Sequence, residues 1–167
     1  MLIENKKNFN NLVTEWLLNF EEKLINPNQK ELYKLFKNDS HWRDLLAFTW
    51  HIKTYSGAEI IENSLSIYSK KISPHSFKID TTRTPPRYVT RARKRVIEAF
   101  FIFQNLYGKC NGLLRLKPRK NGFPKAWTLM TSLAEIDQKN NRSGEKRFNG
   151  SSYAKKFSGP NWLDSRR

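Results

Sequence analysis

An α+β domain is predicted by three features of this 167-residue sequence. They are an amphipathic helix near the start, a second helical period over Ala58 to Ile72, and a following run of aromatic and β-branched segments. Helices and strands do not alternate as β-α-β units, so the expected architecture is a cone-like, curved antiparallel sheet wrapped by about three helices. The chain is long enough to bury well over half of its unfolded surface. Eleven Phe, six Tyr and five Trp supply large side chains for one core.

From Phe9 to Leu24 apolar residues recur at Phe9, Leu12, Val13, Trp16, Leu17, Phe20 and Leu24. That spacing places one continuous stripe on a helix. Asn26-Pro27-Asn28 stops it, because Pro27 cannot donate a backbone hydrogen bond and restricts the residue before it. A short helix is expected from Gln29 to Phe36, followed by a turn at Asn38-Asp39-Ser40. His41 to Phe48 and Trp50 to Tyr55 read as strands ending at Ser56-Gly57. Ala58 to Ile72 is helical through Ile60, Ile61, Leu65, Ile67 and Tyr68, and Ser73-Pro74 closes it. Strands are then expected at Phe77 to Asp80, Arg87 to Ala92, Val96 to Tyr107, Leu113 to Pro118 and Trp127 to Ile136. Lys120-Asn121-Gly122 supplies a tight reversal, since Asn-Gly readily takes positive φ angles.

Beyond residue 136 the composition changes. Residues 137–167 are polar and basic, with Gly144, Gly150 and Gly159, and read as an arm attached to a domain spanning 1–136. The formal net charge is +16. With no nucleic-acid motif beside it, that charge reads as a lysine-rich solvated surface rather than as a nucleic-acid site. Cys110 is the single cysteine, so no intrachain disulfide can form, as expected of a reducing cytoplasm. No secretory signal pattern opens the chain, and no segment approaches the ~20 apolar residues that span a bilayer. Asn38, Asn141 and Asn149 each begin a glycosylation-type triplet, which without a signal peptide is a chance match.

Several chemistries are excluded by pattern. There is no G-x-G-x-x-G run and no P-loop, so neither FAD nor NADPH has a phosphate-binding loop in this chain. Three His and one Cys have no zinc spacing, and no nucleophile elbow is present. What remains are polar groups inside apolar strands. In the Val96 strand, alternation puts Glu98 on one face with Val96, Phe100 and Ile102. A carboxylate there must be paired or have its pKa raised, so Glu98 is either a pocket acid or the partner of Arg91, Arg95 or Arg115. His41 and Asp44 form a second acid–base candidate, with Asp44 as a hydrogen-bonded strand-end residue the alternative. Trp42, Trp50, Phe100, Ile102 and Trp127 are the candidate pocket wall, with plain core packing as the alternative for the tryptophans.

Several blocks in order carry a family resemblance. They are His41-Trp42-Arg43-Asp44-Leu45-Leu46-Ala47-Phe48-Thr49-Trp50, Thr54-Tyr55-Ser56-Gly57, Pro85-Pro86-Arg87, Val96-Ile97-Glu98-Ala99-Phe100-Phe101, Gly112-Leu113-Leu114-Arg115-Leu116 and Ala126-Trp127-Thr128-Leu129. With the closing Asn161-Trp162-Leu163-Asp164-Ser165-Arg166-Arg167, this region resembles the amino-terminal part of flavin-containing monooxygenase-like oxidoreductases. The resemblance implies a nuclear-transport-factor-2-like (SnoaL-like) domain, with FAD and NADPH bound by a flavin fold that follows in the relatives. This chain stops where that fold would begin. The implied role is a non-catalytic accessory or pocket-forming domain, truncated or split from its flavoprotein, with a flavoprotein domain or subunit as partner. The competing expectations are a stand-alone isomerase or cyclase using Glu98, Asp44 or His41 on a small apolar ligand, and a basic nucleic-acid-associated protein. A homodimer is compatible with each of these, and no membrane role is expected.

Overall fold

The computed structural model describes residues 2–26, 31–119 and 122–137, with side chains from residue 9 onward. The predicted arm over 137–167 falls, after Asp137, outside the described residues, as do Asn121 of the predicted reversal and Trp162 to Arg167 of the resemblance.

Helix α1 spans Leu2–Ile25 and buries Val13, Trp16, Leu17, Phe20 and Leu24, the stripe its period predicts. A single 3-10 turn, Leu32–Leu35, stands where a longer helix was expected, and the chain is already extended at Phe36. Strand β1 runs Phe36–Leu45 and β2 runs Ile52–Ser56. Helix α2, Ala58–Ile72, starts at Gly57 with φ 92° and ends at left-handed Ser73, whose N–H donates to the Ser69 carbonyl. Its buried face is Ala58, Ile61, Glu62, Leu65, Ser69 and Ile72, whereas Ile60 and Ile67 point to solvent. The remaining strands are β3 His75–Ile79, β4 Arg87–Arg91, β5 Lys94–Asn105, β6 Gly108–Lys117 and β7 Lys125–Ile136.

The strands form one curved sheet in the order β2-β1-β7-β6-β5-β3. Strand β5 is long enough to take two partners on its far edge: β4 along its first half and β3 along its second. Most neighbours are antiparallel, but β1 and β7 pair in parallel, so the sheet is mixed rather than wholly antiparallel. This correction follows from connectivity, because the first strand sits beside the last and the whole domain intervenes between them. Two α-helices and the 3-10 turn take the place of the three expected helices.

Asn38-Asp39-Ser40 does not form a turn between elements. The segment sits inside β1, where pairing with β7 jumps from Phe36–Ala126 to His41–Thr128. The extra residues bulge outward, and Asp39 there receives Lys37 and Lys94. Their turn-forming character has become a strand irregularity.

The core lies on one face of the sheet. Trp16, Phe20 and Leu65 from the helices meet Trp42, Ala99, Phe101, Phe103, Leu114 and Leu129 from the strands. Aromatic rings continue through it: Phe20 meets Phe77 edge-on, Phe77 stacks on Phe103, and Phe48 bridges toward Trp42, which stacks on Tyr55. On β5, the residues facing the helices are therefore Ile97, Ala99, Phe101 and Phe103.

Candidate functional site

Glu98 occupies the other face of β5, the one turned away from both helices. Cross-strand pairing lines up His41, Thr128, Arg115, Glu98 and Arg87 as a row across β1, β7, β6, β5 and β4. The buried Glu98 carboxylate accepts from Arg91 Nε (3.0 Å), Arg91 Nη2 (2.8 Å) and Arg115 Nε (2.8 Å). Arg87 Nη2 lies 3.6 Å away. Burial by itself would raise the pKa, but the hydrogen bonds from Arg91 and Arg115 outweigh it and hold the group below the usual carboxylate value. A carboxylate in this state is a poor general base. It is the hub of an arginine cluster. Arg95, the third partner suggested by sequence, instead sits over the Tyr88 ring.

Asp44 is buried on the opposite face, among the core side chains. It accepts from the Phe48 and Thr49 backbone N–H groups, from Thr49 Oγ1 at 2.8 Å and from Thr131 Oγ1 at 2.7 Å. Trp42 Nε1 in turn donates to Thr131 Oγ1 (2.9 Å). These bonds tie the β1–β2 loop to β7. Asp44 acts as the strand-end anchor that sequence offered as its alternative role. His41 alternates onto the Glu98 face, exposed, with Nδ1 2.8 Å from Ser56 Oγ. His41 and Asp44 thus lie on opposite faces of β1 and form no pair.

The predicted pocket wall is dispersed. Trp42 is fully buried in the core, stacked on Tyr55. Trp50 sits on the exposed loop before β2, its ring edge against Tyr107. Phe100 and Ile102 belong to the Glu98 face, with Arg83 over the Phe100 ring. Trp127 is the extra residue of a bulge in β7, where pairing shifts between Arg115 and Leu116, and it lies half-buried under Lys94.

Two concavities involve these residues. A shallow one of about 290 Å³ on the Glu98 face is lined by His41, Arg43, Leu113, Arg115, Thr128 and Met130, among others. A larger cleft of about 430 Å³ lies between β3 and the β5–β7 ends, with Lys78, Asp80, Gln104, Lys109 and Asn111 on its walls. Cys110 adjoins it, but burial first and the Asp44 charge second push its thiol up to about 12, so it is neutral at physiological pH. Among the described residues no group of three His, Cys, Asp or Glu side chains could hold a metal, and no helix is long and apolar enough to cross a membrane.

Sequence reasoning missed Arg87, Thr49 and Thr131. Arg87 shares strand parity with Arg91, which was a usable signal. Thr49 lies five residues after Asp44 and folds back onto it within the β1–β2 loop, whereas Thr131 joins Asp44 only because β1 and β7 are neighbours, which local pattern does not reveal.

The chain superimposes on a nuclear transport factor 2-like superfamily protein from Salmonella enterica with TM-score 0.52 and 12% identity, covering 81% of this chain and 97% of the other. An NTF2-like protein with a cystatin-like fold from Novosphingobium aromaticivorans gives TM-score 0.50 at 9% identity, covering 75% and 82%. The fold is nuclear-transport-factor-2-like. At these identities the NTF2-like likeness establishes architecture alone. A putative isomerase from Bacillus subtilis also aligns, at TM-score 0.46 and 17% identity over 71% of this chain and 83% of that one. No protein-family model and no curated protein matches the sequence.

Proposed function

We propose that this domain is a non-catalytic, pocket-shaping module that works beside a flavin-binding domain or subunit, with residues 1–136 as the module and 137–167 as the basic segment leading toward that partner. The observation that carries the reading is the state of the three candidate acid–base residues. Glu98 is neutralised by arginines, Asp44 is consumed by four donor groups, and His41 faces away from Asp44. A proton-abstracting isomerase needs a carboxylate free to take a proton and aimed into the substrate cavity, whereas the oxygens of Glu98 and Asp44 are already engaged by internal donors. The ordered sequence blocks that resemble flavin-containing monooxygenase-like proteins are what motivate the flavin half of the proposal. In that setting the Glu98 face, with Arg43, Leu113, Arg115 and Met130, would provide one wall of a site completed by the partner.

The test uses the chain purified from FAD-rich cells. The expected result is no flavin absorbance and no NADPH oxidation by the chain alone. A flavoprotein co-produced with it should change its NADPH oxidation rate or substrate range when the chain is added. Isomerisation of an unsaturated-ketone series by the chain alone, abolished by Glu98→Gln or Asp44→Asn in folded protein, would overturn the reading.

A further inference from the structure

On the face of the sheet turned away from the helices, strand alternation sets a polar row beside an apolar one. The polar row crosses the strands as His41, Thr128, Arg115, Glu98 and Arg87, and the next row along reads Arg43, Met130, Leu113 and Phe100. Met130, Leu113 and Phe100 are half-buried, so they form a floor rather than a packed interior. Arg43 on β1 and Arg115 on β6 stand on either side of β7, their backbones two strand spacings, roughly 10 Å, apart. Both line the concavity of about 290 Å³. Thr54, Thr128 and His41 line it as well, and Ser56 Oγ holds His41 at 2.8 Å.

Cations outnumber carboxylates here. Glu98 is shared by Arg87, Arg91 and Arg115, and its side chain is only 4% exposed, whereas theirs are 43%, 43% and 26% exposed. Arg91 meets Glu98 with both Nε and Nη2, but Arg115 uses Nε alone and keeps the donors of its two terminal nitrogens. Among the described residues Arg43 has no acidic partner. The other carboxylates near this face are engaged elsewhere: Asp39 with Lys37 and Lys94, Asp80 with Thr82 and Arg83, and Glu135 with Lys109. A guanidinium cannot shed its charge in a protein, so Arg43 and the outer nitrogens of Arg115 stay cationic beside an apolar floor. Low-polarity surroundings strengthen the attraction between such a cation and an anion. Guanidinium donors also make the charge-assisted hydrogen bonds that hold carboxylates and phosphates.

We infer that this concavity binds a small amphiphilic anion, with its carboxylate or phosphate head between Arg43 and Arg115 and its apolar body on Leu113 and Met130. The Thr54 and Thr128 hydroxyls supply neutral donors to the same head. Glu98 is the positioning residue, because it fixes Arg115 through Nε and leaves the terminal nitrogens for the ligand. At about 290 Å³ the concavity lies at the small end of ligand sites, which begin near roughly 300 Å³, so the body is a short chain or a single ring. Two guanidinium groups and an apolar floor in one depression suit a single head with a single body. A nucleic-acid strand or a bilayer instead repeats its anions over a wider surface. The inference rests on the reading of the Glu98 face as a binding wall. It does not need the flavin partner, since every donor to the head belongs to this chain.

Titrating the full chain with octanoate and with octyl phosphate, followed by backbone amide chemical shifts in NMR, tests it. Shifts should saturate as one site and centre on residues 41–43, 113–115 and 128–130. Octanamide keeps the body without the charge, and inorganic phosphate keeps a charge without the body. Each should bind about tenfold or more weakly than the better amphiphilic anion. Arg43→Gln should weaken that anion about tenfold, the scale of a lost hydrogen bond to a charged group. Lys53→Gln removes the same charge from the opposite face, where Lys53 pairs with Asp44, and should leave affinity unchanged. Both side chains are exposed, so equal melting temperatures would show that the fold is intact. Tighter octanoate assigns the head to a carboxylic acid, and tighter octyl phosphate to a phosphate ester. No saturable shift, shifts centred elsewhere, equal binding of octanamide, or equal affinity in Arg43→Gln would overturn the inference. So would capture of an oligonucleotide or of phosphatidylserine vesicles, lost in Arg43→Gln, with both octyl anions inert. A chain that binds the anion yet leaves a co-produced flavoprotein's NADPH oxidation unchanged keeps this site and removes the flavin reading. The converse result removes the site alone.

Discussion

Glu98 and Asp44 are both buried carboxylates, yet their surroundings assign them different structural tasks. Glu98 gathers Arg87, Arg91 and Arg115 on the face turned away from the helices, whereas Asp44 gathers neutral donors within the core. Replacing Glu98 with Gln should leave those guanidinium groups poorly paired and cost on the order of 1–3 kcal/mol in urea unfolding at pH 7. The pH dependence has a defined sign. Because the folded state lowers the Glu98 pKa, its contribution is complete above the unfolded value of about 4.3 and is lost as pH falls through the folded value. The stability gap between wild type and Glu98→Gln should therefore close on acidification below about pH 4. Tryptophans separate by burial in the same way. Trp42→Ala empties a filled site and should cost roughly 3–5 kcal/mol, measured by chemical denaturation. Trp127→Ala should cost clearly less, since half-buried Trp127 lies under Lys94 on a bulge.

At the level of elements, register explains more than propensity does. Strand β6 must pass close behind the packed phenylalanines, and it does so at Gly112, paired with Phe101. A Cβ at Gly112 would run into the Phe101 ring and the Met130 carbonyl. That ring stacks with Phe77 and Phe103 and cannot swing aside, so Gly112→Ala should destabilise by about 1–3 kcal/mol, read as a lowered melting temperature. Residues 37–40 show the complementary case. Asn38-Asp39-Ser40 has the composition of a turn, yet the Lys37 and Lys94 contacts with Asp39 hold the segment as a bulge within β1. The turn at Ala92-Arg93 carries no glycine to announce it. Ala92 and Arg93 accept positive φ of 44° and 61° because the β4–β5 pairing on both sides closes the hairpin.

For the described domain as a whole, both helices and most strands contribute to one core. Unfolding of this part should be a single cooperative event, with coincident transitions by far-UV circular dichroism and tryptophan fluorescence. Two separated transitions would contradict a shared core. The parallel pairing of β1 with β7 closes the chain on itself, since an early strand completes the sheet only when the last one is in place. That same pairing delivers Thr131 to Asp44 and Trp42, and so couples the exposed loop of Leu46 and Trp50 to the folding of the entire domain.

The sequence by itself determined the α+β class, the α1 stripe from Val13 to Leu24, the place of α2 and the long strand β5. Each of these follows from local periodicity and chain-stopping residues, which act over one or two turns or a few strand positions. It also made Glu98 a carboxylate needing a partner, because alternation places it among apolar neighbours. Only the tertiary structure decided which arginines answer Glu98, that His41 and Asp44 face opposite ways, and that Trp42 is core while Trp50 is surface. The physical reason is that these outcomes depend on which strands become neighbours and in what register, and a one-residue shift in register exchanges the two faces of a strand.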